Sequence, residues 1–199
     1  MTVARRTAGS FTLALAAGAA AVLLVSEPAG AHTGKGAGGV IDGILHPLTG
    51  PDHLLAMLAV GIVAVLATPR GRVWLAPAAF LGGMVAGGVA GLAGGALPGA
   101  EYLIVASVFV LGLAIAGAAQ GAGDWLIAAL IVAGIAHGHA HGAEAPTSAN
   151  PVAYVGGFLL ATASLHLVGV GVGAAIKERR TLRIGIGAAM VAAGALLIA

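Results

Sequence analysis

Three groups of residues in this sequence could do chemistry, and all three are built on histidine. The first runs His46-Pro47-Leu48-Thr49-Gly50-Pro51-Asp52-His53, with Met57 one helical turn further on. The second is His137-Gly138-His139-Ala140-His141-Gly142-Ala143-Glu144, and the third is His166, alone in an apolar stretch. Neutral imidazole is a good ligand for nickel, cobalt, copper and zinc, so the chemistry on offer is divalent-metal binding. On a helix His137 and His141, four residues apart, project from one face, and Glu144 follows three residues later on the same stripe. His139 points roughly the other way unless Gly138 and Gly142 unwind the helix end. Asp52 is either a ligand or the group that fixes the His53 imidazole from behind.

Each residue also has a plainer reading. His166 serves equally as an interhelical hydrogen-bonding histidine or as a ligand. Met57 reads as packing rather than as a thioether ligand, and His139 as solvated at a helix mouth. Glu101, Asp124 and Glu178 fall near segment ends and read as interfacial. Metal binding outweighs these readings because the histidines cluster in a chain otherwise poor in polar groups.

The elements that must position these side chains follow from composition. Of 199 residues, 59% are hydrophobic and 8% charged, against about 25% charged in an ordinary soluble domain. The mean hydropathy is +1.04. The expected fold is therefore all-α, a polytopic membrane helix bundle. Apolar segments fall at 41–67, 73–97, 102–119, 125–141, 152–176 and 182–198, which predicts six spans joined by short loops with no soluble domain among them. Pro47 and Pro51 interrupt the first segment, which reads as a short half-helix or re-entrant turn before a helix from about Asp52 to Ala67. Nine basic and seven acidic residues leave a net charge of +2, so no nucleic-acid footprint exists. No cysteine is present, which excludes disulfides, thiolate sites and cysteine nucleophiles.

Residues 1–31 read as a cleaved signal peptide: Arg5 and Arg6, an apolar run over 11–25, then Ala29-Gly30-Ala31 as the cleavage site. Residues 32–199 are then the mature six-span domain, opening on His32, whose imidazole and new amine together could chelate a metal. Arg70 and Arg72 after the first span, and Lys177, Arg179, Arg180 and Arg183 before the last, mark the cytoplasmic loops. The loops at 98–101 and 144–151 carry no Lys or Arg and face outward, so both mature termini are extracytoplasmic, in the inner (plasma) membrane. Among the 34 glycines, Gly83, Gly87, Gly91 and Gly95 repeat every four residues, as do Gly117 with Gly121 and Gly169 with Gly173. Such ridges serve tight helix packing within the chain; a homo-oligomer seam is the alternative.

The string HPLTGPDHLLAMLAVG, His46 to Gly61, resembles the HupE/UreJ family of nickel and cobalt permeases, whose first signature has the form HPxxGxDHxxAM. HGHAHGAE, His137 to Glu144, is similar to its second signature, a His-rich helix end followed by an acidic residue. The resemblance extends over nearly the whole chain. It implies that His46, Asp52 and His53 act in the first motif and His137 and His141 in the second. It assigns no role to His166 and does not decide nickel against cobalt.

The expected function is a secondary, ATP-independent permease importing Ni²⁺, with Co²⁺ as the second candidate. His32 and Glu144 would recruit the ion, His46, Asp52, His53, His137 and His141 would strip its water, and His166 would be a deeper relay. The partners are the cation and the bilayer, with no prosthetic group, the bound metal being substrate. A divalent ion gains about 4.6 kcal/mol per 100 mV on moving inward, so voltage alone could drive accumulation. Two rivals stand beside this: a membrane metal-binding accessory protein for urease or hydrogenase maturation, and an intramembrane metal-dependent hydrolase. Against the second, the chain has no HExxH and no GxSxG.

Overall fold

A computed structural model of the chain describes residues 39–68, 71–117, 123–145 and 150–197. The expected signal peptide 1–31, His32, Arg70 and Gly121 lie outside the described residues. Among the described residues there are seven helices and no strand: α1 (Val40–Thr49), α2 (Pro51–Leu66), α3 (Leu75–Leu92), α4 (Ala100–Ala116), α5 (Gly123–Ala143), α6 (Pro151–Ile176) and α7 (Arg180–Leu196).

The break between α1 and α2 has a local cause. A residue before proline is pushed out of the helical region, and Gly50 sits extended at φ −85°, ψ 114°. Pro51, which has no N–H to leave unsatisfied, takes the first position of α2. The two helices meet at 88°. The expected half-helix before a longer helix is present. Its first part is a regular ten-residue helix that runs through Pro47. At the start of α6, Asn150 accepts hydrogen bonds from the Val152 and Ala153 backbone N–H groups, a side-chain cap.

By length and composition alone, the described helices account for fewer spans than the expected six. Among the described residues, α3, α5 and α6 are long and apolar enough to cross a bilayer, and α1 with α2 makes a fourth if the bent pair is one span. α4 is apolar but has 17 residues, and α7 has 17 with Arg180 and Arg183 in its first turn. Seventeen residues reach about 25 Å, short of a hydrocarbon core of about 30 Å.

Glycine contacts set the helix pairing. A Cβ on Gly83, Gly87 or Gly91 of α3 would strike the carbonyls of Ile131, Ile135 or His139 on α5. In return, Gly134, Gly138 and Gly142 of α5 press against the carbonyls of Phe80, Met84 and Gly88. Six glycines thus let two parallel helices touch backbone to backbone, which is the use of small residues where lipid supplies no hydrophobic drive. This is packing within the chain, and two of the expected ridge positions fall outside it. Gly95 lies beyond the end of α3, and Gly117, at φ 108°, ends α4 in the left-handed conformation that glycine tolerates. α2 and α6 also run parallel, Gly61 resting on the His166 carbonyl and Gly169 on that of Leu58. α4 and α7 run antiparallel, Gly112 meeting Gly187 and Phe109 meeting Gly194.

α2 is wrapped on all sides: Ala56, Met57, Ala59, Val60, Val63 and Ala64 are fully buried. Outward faces carry Val85, Val89, Val132, Leu160, Leu167 and Val168, all exposed. An apolar interior with an apolar exterior suits a helix bundle in hydrocarbon.

Candidate metal site

Four imidazoles from three helices converge where α1 ends, α2 begins and α5 ends. The bend at Gly50 turns His46 and His53 toward one another, with ring centroids 6.1 Å apart. Helical spacing sets His137 and His141 on the facing side of α5. His141 stands 4.5 Å from both His46 and His53, and His137 stands 5.0 Å from His53. Two groups of donor atoms result, His53 with His137 and His141, and His46 with His141 and Glu144, each with its atoms within 4.8 Å of one another. His141 is common to both. Phe158 covers one side, its ring 4.0 Å from that of His141.

The hydrogen bonds around the rings fix which nitrogen is free to coordinate. His53 Nδ1 lies 2.6 Å from Asp52 Oδ1, which also accepts the His53 backbone N–H at 2.9 Å. A carboxylate acceptor holds the proton on Nδ1 and leaves the lone pair on Nε2, which is buried with no hydrogen-bond partner. Asp52 thus stands behind His53, orienting it, which separates the two roles open to it from its spacing. His137 follows the same logic through Ser107. The Ser107 hydroxyl donates its one proton to the Ile104 carbonyl at 2.6 Å, so its oxygen can only accept from His137 Nε2, 3.3 Å away. His137 Nδ1, buried and without a partner, carries the lone pair. Ser107→Ala should therefore weaken nickel binding about tenfold, at the lower end of the usual loss for an orienting partner, while the protein folds normally. Equilibrium binding to the purified protein checks it, and an unchanged affinity would show that Ser107 does not hold this ring.

The structure brings together His46, Asp52, His53, His137, His141 and Glu144. It does not bring in His139, two residues from His137 and hence on the far side of α5, where Nε2 bonds the Gly95 carbonyl at 2.8 Å. His139 is nearly buried there rather than solvated, beside a hollow of about 390 Å³ that Glu101 and Glu144 also line. His166 is fully buried further along α6, and Phe80 touches both it and His137. Met57 is buried as expected and accepts a hydrogen bond from Thr162. Sequence alone does not single out Ser107, Phe80 or Phe158. A hydroxyl inside an apolar helix was the available sign for Ser107, but serine bonded to its own backbone looks the same.

Residues 20–197 match the model of a family described as HupE / UreJ protein. The chain is 41% identical over 182 residues to "Protein HupE" of Rhizobium leguminosarum bv. viciae, which covers 90% of this chain and 91% of the relative. No solved structure matches.

Proposed function

This chain belongs to the HupE / UreJ family, and on that premise we propose that it is a permease carrying Ni²⁺, with Co²⁺ second, inward across the inner membrane without ATP. The observation that carries the reading is the pair of donor triads sharing His141, assembled from three helices at one end of the bundle. Each triad offers an incompletely caged ion three donors. A conducting site needs ligands strong enough to replace hydration and sparse enough to release the ion.

The helix directions support six crossings. A chain that crosses at each helix from α2 to α7 has α2 parallel to α6, α3 parallel to α5, and α4 antiparallel to α7, which are the pairings the glycines make. Arg72, between α2 and α3, then shares one end of the bundle with Lys177 and Arg179, between α6 and α7, and with Arg180 and Arg183 in the first turn of α7. The positive-inside rule makes that end cytoplasmic and sets the histidine cluster at the opposite, outer end. The short helices α4 and α7 cross where the bilayer thins or flanking side chains reach its surface. A signal peptide over 1–31 would deliver His32 to the same outer end, where Glu144 lies.

Liposomes holding the purified protein, with an inside-negative voltage imposed, test the proposal. Influx of radioactive nickel that rises with voltage and exceeds that of protein-free liposomes is the expected result. Tight nickel binding with no influx would overturn it in favour of the accessory-protein reading. Metal-dependent cleavage of a membrane substrate without flux would favour a hydrolase.

A further inference from the structure

Beyond the four-imidazole cluster, and apart from His139 with its bond to Gly95, His166 is the described histidine left over. His166 is 1% exposed, and neither its Nδ1 nor its Nε2 has a hydrogen-bond partner. A buried polar group left unmet forfeits the hydrogen bonds it would make in water, so an imidazole with both nitrogens orphaned is a costly residue to keep as packing. It lies eight residues along α6 from Phe158, which covers His141, and so about 12 Å deeper. Phe80 of α3 bridges the two levels, its ring centroid 5.2 Å from His137 and 5.4 Å from His166.

A second soft donor, Met57, packs on α6 one turn before His166. Thr162, one turn before His166, is fully buried and donates its hydroxyl proton to the Met57 sulfur at 3.2 Å. Gly61, one turn after Met57, lies against the His166 carbonyl, so α2 and α6 keep register here, with Met57 level with Thr162 and His166 one turn further along α6. The Met57 sulfur has a further lone pair. Thioether and imidazole are soft to borderline donors, suited to a late first-row divalent cation rather than to magnesium or calcium.

We propose that His166, with the Met57 thioether, forms an inner metal station, and that Phe80 is the apolar step a cation must pass between His137 and it. The proposal rests on the permease reading of the outer cluster. An ion leaving His137 meets the aromatic ring and then a ligand, so the barrier is crossed in one short move rather than through a long apolar run. Two sparse stations in series also keep either from binding too tightly to release.

The test uses full-length protein in nanodiscs and liposomes with nickel alone as the probe, comparing the parent, His166→Ala and His166→Gln. The variants should keep the outer affinity within about twofold, lose about one bound nickel per chain, and carry nickel more than about tenfold more slowly, the step being worth at least about 1.4 kcal/mol in the barrier. Unchanged influx and stoichiometry would overturn the inner station while leaving the permease reading intact. Loss of outer binding in both variants would make His166 a structural residue and overturn it too. A parent protein that binds nickel and carries none would instead remove the reading on which the station rests.

Discussion

His53→Ala protein in liposomes should carry nickel at least about a hundredfold more slowly than the parent. Removing an outer-shell partner of a metal ligand already costs about 10–100-fold, and on the permease reading His53 is the ligand itself. Its Nε2 is buried and unmet, aimed among His137 and His141, while its Nδ1 is committed to Asp52. Asp52→Asn is the informative contrast. An amide oxygen still accepts from Nδ1 but brings no charge, so the loss should stop at about tenfold. Measuring both variants under one imposed voltage separates ligand from orienting group. Should His53→Ala run within threefold of the parent, the triad is not on the ion's route, and equal losses in the two variants would make Asp52 a ligand as well.

Gly138→Ala should be among the most damaging small substitutions in the bundle. Its new Cβ would fall on the carbonyl oxygen, carbonyl carbon and Cα of Met84, all backbone, so no side chain can turn aside and α3 must move away from α5. Overpacking a core costs about 1–3 kcal/mol, and the upper end applies where only a helix can yield. The damage reaches the site, because His137 adjoins Gly138 and His141 is one turn on. Gly82→Ala is the matched control: nothing lies within 4 Å of a Cβ there, and alanine gains up to about 1 kcal/mol in helix propensity. Thermal unfolding in nanodiscs should put Gly138→Ala well below the parent and Gly82→Ala at or above it. If the two melt together, the glycine contact is not what holds α3 to α5.

What the sequence made legible is the part of the geometry contained within single helices. A step of 100° per residue puts His137, His141 and Glu144 on one stripe and His139 across from them, and the structure has them so. The Gly50-Pro51 break is equally local, since a proline constrains its own backbone and its predecessor's. Contacts between helices were hidden. The ridge of Gly83, Gly87 and Gly91 stands out in the sequence, but its answering row, Gly134, Gly138 and Gly142, carries the same spacing masked by the histidines threaded through it. Ser107 becomes informative only once α4 is known to lie beside α5. Apolar composition marks the segments, whereas helix ends follow capping and turn geometry: Gly117 ends α4 two residues before the apolar segment's end at Ala119.

On the permease reading, the sharing of His141 by both triads makes the entrance enforce a queue. A neutral imidazole has one nitrogen lone pair, so this ring can hold one cation at a time, whichever triad that cation occupies. The two triads are therefore successive addresses of a single guest, and a newcomer waits until the ring is given up. Nickel and cobalt arriving together should displace one another rather than travel side by side, and a poorly released metal would stop traffic for both.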